Sequence, residues 1–174
     1  MPNYNPSTIA RIGDLTNGLR CDTSVVTALA YLDTVQHEIF NVVGEVKIHQ
    51  LFAQVTTALG NQAGLVQFNA TWSAPVIAVA PLCAVSITVA QLAVGERISM
   101  VGGAVGTAAI LTATAGITDI NVTPITIGGV TGLGVNYVGT IGTLTTVAAV
   151  TSGEIRFSCF WSAMSPGAYI SAIV

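Results

Sequence analysis

Few side chains in this sequence have reactive chemistry to offer. His37 and His49 are the only histidines among 174 residues. On neighbouring strands they could come beside Glu38 or Glu45. A histidine next to a carboxylate is the smallest general-base pair, or half of a metal site. Neither histidine brings a third ligand at a metal-binding spacing, so a solvated or interface histidine is the expectation for both. Copies of His49 meeting on a threefold axis would make a metal site, but nothing in the sequence requires it. The eight carboxylates include no close pair of the kind that cleaves glycosides. No G-x-S-x-G motif occurs. The glycines from Gly128 to Gly134 are not followed by Lys-Ser/Thr and sit in no βαβ unit, so they read as a turn. Trp72 and Trp161 could stack on a sugar, but core or interface packing is the commoner use of tryptophan. No catalytic residue, cofactor site or metal ligand is expected, and the chain does not read as an enzyme.

The cysteines Cys21, Cys83 and Cys159 are odd in number and far apart, with no C-x-x-C. Reduced, buried thiols are expected, as suits assembly in a reducing cytoplasm.

Composition carries more information than these motifs. Hydrophobic residues make up 52% of the chain and charged residues 7%, where a soluble domain usually has about 25% charged. So few charges cannot cover the surface of a lone domain, and the apolar area left over marks an interaction surface. The net charge is −3, and Lys47 is the single lysine. Five basic residues scattered along the chain do not make a phosphate-binding patch, so no nucleic-acid partner is expected. The polar start, with Pro2 and Pro6, lacks the basic and apolar regions of a signal peptide.

The longest apolar run, residues 76–94, has the length of a membrane span. Pro81 interrupts it, and Val85, Ile87 and Val89 alternate with Ser86, Thr88 and Ala90. That period predicts a strand, and no membrane partner is expected.

Charge is uneven along the chain. Eight of the thirteen charged residues fall between Arg11 and Lys47, and only Asp119 lies between Ile98 and Gly153. Residues 1–21 read as an extended N-terminal arm, broken by prolines and asparagines. Residues 22–174 read as one β-rich body. Val25, Val26, Leu29, Leu32, Val35, Ile39 and Val43 keep helical spacing, with Asp22 or Thr23 as cap and Gly44 just past the end. A short helix within 23–36 is compatible with this, but the β-branched and aromatic residues of 37–43 favour strand.

Strands are expected from residue 45 onward, with a bulge near Gln50 where the alternation changes phase. They cover 65–72, 96–101, 107–114, 117–127, 135–141, 144–150 and 154–161, and the segment 168–174 closes the body as a strand or forms an arm. In 154–161, Ile155, Phe157, Cys159 and Trp161 share one face. Short strands with glycine turns between them predict an all-β domain, either a sandwich of jelly-roll type or a barrel. Val46, Ile48, Phe157 and Trp161 are expected in its core or at a self-association surface.

The stretch 39–60, IFNVVGEVKIHQLFAQVTTALG, resembles a segment of small structural proteins of tailed bacteriophages. Ile39, Phe40, Val42, Gly44, Val46 and Ile48 match its first half, and Val55 to Gly60 its second. Gly153, Ile155, Phe157 and Trp161 are similar to the closing strand of those proteins. The resemblance implies strands over 37–58, with Gly44 at a turn or bulge. It also implies a virion component: a capsid decoration (cement) protein on the outer capsid surface, assembled in the host cytoplasm. Such a protein would be a homo-oligomer, as a trimer, bound to the major capsid protein. Arg11, Asp14, Arg20 and Asp22 would be the arm's capsid contacts. A head fibre, tail fibre or spike adhesin binding a host receptor is the alternative.

Overall fold

The alternating segments pair into two antiparallel sheets that pack against each other as a sandwich. The structure, a computed structural model, describes residues 18–86, 88–100, 110–112, 124–132 and 134–174, with backbone alone at 77, 78 and 110–112. In chain order the elements are β1 (Leu19–Asp22), β2 (Val26–Thr27), α1 (Ala28–Tyr31), β3 (His37–Val43), β4 (Val46–Thr57), β5 (Leu65–Ala74), β6 (Val76–Pro81), β7 (Arg97–Ser99), β8 (Ile110–Thr112), β9 (Ile125–Ile127), β10 (Val138–Thr146), β11 (Glu154–Ala163) and β12 (Tyr169–Ala172). Sheet A runs β1-β11-β4-β7-β8, with β2 also on β11 and β9 also on β4. Sheet B runs β12-β3-β10-β5-β6.

The core lies between the sheets. Val46, Ile48, Leu51, Ala53 and Val55 of β4 point into it, beside Ile155, Phe157, Cys159 and Trp161 of β11. Sheet B answers with Phe40, Val42, Phe68, Ala70, Trp72 and Ile141. Val46, Ile48, Phe157 and Trp161 are therefore core residues of a single chain, and none of them is exposed for self-association.

The segment 37–57 is two strands joined at Gly44, and those strands belong to different sheets. Gly44 has φ +76, which L-residues with a Cβ rarely adopt. The turn is pinned by Gly44 N–H on Tyr137 O and by the Ser165 hydroxyl on Glu45 N–H. The bulge foreseen near Gln50 is present: Phe160 faces Gln50 and Trp161 faces Ile48, leaving His49 extra.

The short helix compatible with 23–36 is present as the single turn α1, whose cap residue Thr27 makes no side-chain capping bond, and 37–43 is strand. Several other expectations are corrected, among them a longer helix over 22–43. Backbone bonds to β11 win instead: Thr23 N–H reaches Phe157 O, and Ala28 N–H reaches Gly153 O. Val25, Leu29 and Val35, which a helix would have buried together, are exposed. The two strands expected over 135–150 are one, β10, which runs straight through Gly142. There the pairing with β3 shifts, which makes a bulge rather than a turn. The alternation at 84–90 forms isolated bridges, not a strand. Ser86 and Val89, expected on opposite sides of that strand, are both buried, and the Ser86 hydroxyl accepts Val66 N–H; Ile87 lies outside the described residues. Of the strands expected at 96–101, 107–114 and 117–127, the structure describes 97–99, 110–112 and 125–127 as strand, and 101–109 and 113–123 lie outside the described residues. Residues 19–21, assigned to the arm from sequence, are part of β1 in sheet A. Among the described residues no helix is long and apolar enough to cross a membrane.

Gly139 shows how closely neighbouring strands of sheet B are fitted. It faces Trp72 across the β10–β5 ladder, and a Cβ there would clash with the Thr71 carbonyl oxygen and lie 2.5 Å from Trp72 Cε3. Gly139→Ala is expected to destabilise the fold by about 1–3 kcal/mol, the usual cost of overpacking. A urea titration checks it: an unchanged midpoint would mean that both the β5 backbone and the ring have room to move.

Candidate functional site

The cross-strand register of sheet A sorts the side chains turned away from the inter-sheet core into rows. Arg156, Gln54 and Arg97 form one row across β11, β4 and β7. Asp22, Ser158, Phe52 and Ser99 form the next, in which Asp22 is exposed and the other three are buried, and Arg20, Phe160 and Gln50 form the third. Beyond the His49 bulge, Ser162, Lys47 and Thr126 form a fourth. Four of the chain's five basic residues, Arg20, Lys47, Arg97 and Arg156, therefore share the outer face of one sheet. The fifth, Arg11, lies outside the described residues.

Two phenylalanines anchor this face. Phe52 and Phe160 stack, with ring centroids 6.4 Å apart and planes 21° from parallel. The Arg97 guanidinium lies 4.7 Å above the Phe52 centroid, and that of Arg20 lies 5.4 Å from the Phe160 centroid. Cations over aromatic faces are attracted by the ring quadrupole. The result is a band Arg20–Phe160–Phe52–Arg97 across four strands, in which each guanidinium rests on a rigid platform.

Asp22 is the acid set among these cations. Arg20 Nε donates to Asp22 Oδ1 at 2.8 Å, and the Ser158 hydroxyl donates to the same oxygen at 2.6 Å. Burial alone would raise the Asp22 pKa. The bonds from Arg20 and Ser158, with the charges of Arg20 and Arg156, outweigh burial and hold it below the ordinary carboxyl value.

His49, the bulge residue, bonds Ser162 Oγ through Nε2 at 2.9 Å. Burial first, and the Lys47 charge second, push its pKa below the ordinary value, favouring the neutral ring. His37 pairs with neither Glu38 nor Glu45. Its partner is Asp33, at 2.7 Å from Nε2, in the turn after α1. The same Asp33 oxygen accepts Val35 N–H. Glu38 instead takes the Thr140 hydroxyl. Among the described residues no three His, Cys, Asp or Glu side chains gather where a metal could sit.

Of the four residues assigned to the arm, Arg20 and Asp22 sit together at the β1 edge of this face, and Arg11 and Asp14 lie outside the described residues. The two tryptophans are not sugar platforms. Both are buried, and Trp72 meets Tyr137 edge-on. Cys21 faces Cys159 across the β1–β11 pair, and all three thiols are free. A shallow depression elsewhere is lined by Thr27, Leu29, Thr57, Thr151, Ser152 and Glu154, with the Thr57 hydroxyl donating to Glu154.

The basic face was hidden in the sequence because its members are as much as 136 positions apart, as Arg20 and Arg156 are. Register alone brings them together. The one local signal was the alternation Arg156, Ser158, Phe160 opposite the apolar face of β11.

The Asp22 contacts carry a pH signature. A depressed carboxyl pKa adds stability that is complete above the unfolded value near 4 and is lost as pH falls through the folded value. The stability gap between the wild type and Asp22→Asn should be full at pH 7 and close below about pH 4. Thermal melts across that range read it directly. The thiols give a second check. Burial raises the pKa of Cys83 and of Cys159, and of half-buried Cys21. A disulfide-exchange dye should therefore label at most Cys21 rapidly in native protein and all three cysteines after denaturation.

No family model matches the chain, and no curated protein or solved structure matches it.

Proposed function

We propose that this chain is a structural assembly subunit, a capsid decoration (cement) protein of a tailed phage. It would bury surface against copies of itself and against a shell of other subunits. The observation that carries this reading is β6, the last strand of sheet B in the pairing order. Its sequence, VIAVAP, has no charged residue, and Val76 and Val79 are 87% and 51% exposed. Exposed strand edges in monomers are normally guarded by lysine, proline, an inward charge or a covering element. Here the strand brings no charged guard, Pro81 at its end being its one edge-blunting residue, and Val138, beside the β5–β6 hairpin in register with Ala74, is exposed as well. An uncharged apolar edge is what a subunit offers when a neighbour will cover it.

Two chemistries then divide the labour. The valine edge suits contact between like subunits, where no charge repulsion opposes pairing. The basic face of sheet A, with Arg20 at its edge, suits a second, different partner. Clamping across the joints of a shell would work through apolar burial at roughly 25 cal/mol per Å² before the cost of association. Repeated over many copies, such contacts resist pressure from within. The strand segment 37–57 and the apolar face of β11 agree with the phage resemblance in their element types.

Particle reconstruction tests the whole reading. Many copies per particle on the outer shell are expected, and a handful at the tail would favour the adhesin. Light scattering of purified protein should give an oligomer, as a trimer. A stable soluble monomer would sink the self-association argument. Arg11→Ala combined with Arg20→Ala should lower occupancy on the shell, and unchanged occupancy would remove the arm from the contact.

A further inference from the structure

We infer that Cys21 and Cys159 are a disulfide site, a dithiol that a small-molecule disulfide oxidises in the folded chain, stapling β1 to the core strand β11. The two residues are directly opposed in the β1–β11 ladder, so their side chains leave the sheet on the same side. Cys159 is fully buried in the core, and Cys21 packs against that core from its rim. The bond from Thr23 N–H to Phe157 O lies two residues along the same register, which makes Cys21 and Cys159 a hydrogen-bonded pair. Such pairs hold their Cα atoms about 5.5 Å apart, within the span of a disulfide. Their Cβ atoms stand about 5 Å apart, a little wide of the roughly 3.5–4.5 Å that the bond prefers. The strand β1 can yield the difference, because it has four residues and lies at the end of the pairing order of sheet A. Strain that is left over makes the bond easy to reduce again. Cys83 is no third member, since it sits at the Phe68 backbone of the other sheet.

Burial sets the order of events. A small disulfide reaches half-buried Cys21 and not Cys159. The Cys21 thiolate attacks one sulfur of the reagent, a new S–S bond forms, and the other half leaves as a thiolate. Cys159 then gives its proton to solvent and attacks the Cys21 sulfur, expelling the second half of the reagent. Two protein thiols and one small disulfide become one protein disulfide and two small thiols. Burial holds both thiols above their ordinary pKa, and the backbone bond from Ala172 offsets only part of this at Cys21. The exchange is therefore slow at neutral pH and faster in mild alkali.

The staple would secure the one strand that leads into residues 1–17. Arg20 and Asp22 flank Cys21 on β1, so a partner gripping them pulls on a four-residue edge strand. Joined to β11, that strand could not peel away under load. The inference deepens the assembly reading and rests on it only for timing: a subunit assembled with reduced thiols meets disulfides once outside the cell. A staple that forms in a chain absent from particles would sink that reading alone. A chain found on particles that never forms the staple would sink this one alone.

The test incubates the native full chain with oxidised glutathione at about pH 8.5, then alkylates it in denaturant and weighs it. The expected product has lost two hydrogens, carries no glutathione and is alkylated at Cys83 only, with the peptides of Cys21 and Cys159 linked. Its thermal midpoint should rise by about 5 °C and fall back after dithiothreitol. Cys21→Ser under the same treatment should leave Cys83 and Cys159 free. Glutathione retained on Cys21, or three free thiols, would overturn the inference. So would a covalent dimer through Cys21, or a disulfide that forms only when denaturant is present during oxidation.

Discussion

The pairing of β4 with β11 is the constraint on which the rest depends. Ten residues of β11 lie in register against β4, from Glu154 opposite Thr57 to Ala163 opposite Val46. Side chains alternate across a strand, so a slip of one residue would turn the core face of both strands outward. Two bulges hold the phase: one leaves Thr56 extra and the other leaves His49 extra. Because of them, Val46 and Ile48 stay on the buried side with Leu51, Ala53 and Val55, although their spacing in the sequence breaks period two. The same ladder fixes the opposite face. Arg156, Ser158, Phe160 and Ser162 meet Gln54, Phe52, Gln50 and Lys47 because Ile155, Phe157, Cys159 and Trp161 meet the core.

Scarcity of charge gives the few ionisable groups more weight. On a surface rich in lysine and glutamate, four basic residues on one sheet would be unremarked. Here they are four of five. Arg20 is partly neutralised by Asp22, and Arg97 and Arg20 are also held by rings. Desolvation works the other way on His49 and the thiols, keeping them neutral near pH 7. Among the described residues the basic side chains are therefore gathered on one face, while the thiols are kept neutral by burial.

Much of the fold was legible in the sequence, because alternation is a local signal. The strands of 45–55 and 154–161 could be read from it, down to the bulge beside Gln50. Signals that depend on pairing were not legible. Gly142 looks like punctuation in the sequence, yet in the sheet it is the point where two neighbouring ladders are reconciled. The partner of His37 was sought among Glu38 and Glu45, but a turn supplies Asp33. The basic face was illegible for the same reason: no window of sequence contains Arg20, Arg97 and Arg156 together. Helical spacing at 22–43 overstated the helix, which is the single turn Ala28–Tyr31, because apolar residues three and four apart also arise by chance in a chain that is 52% hydrophobic.

The other solvent face of the sandwich differs in kind. Across sheet B, Ser171, Asn41, Thr140 and Thr71 fall in one cross-strand row, with Glu38 as the nearby ionised group and no cation in the rows described. One side of the slab is thus basic and aromatic, and the other is hydroxyl and amide. Such a slab has a front and a back. Laid on a surface, it can be told apart from its inverted self by charge alone. An array of these subunits would therefore share a single handed orientation, with every front turned toward the same medium, without any further device to set it.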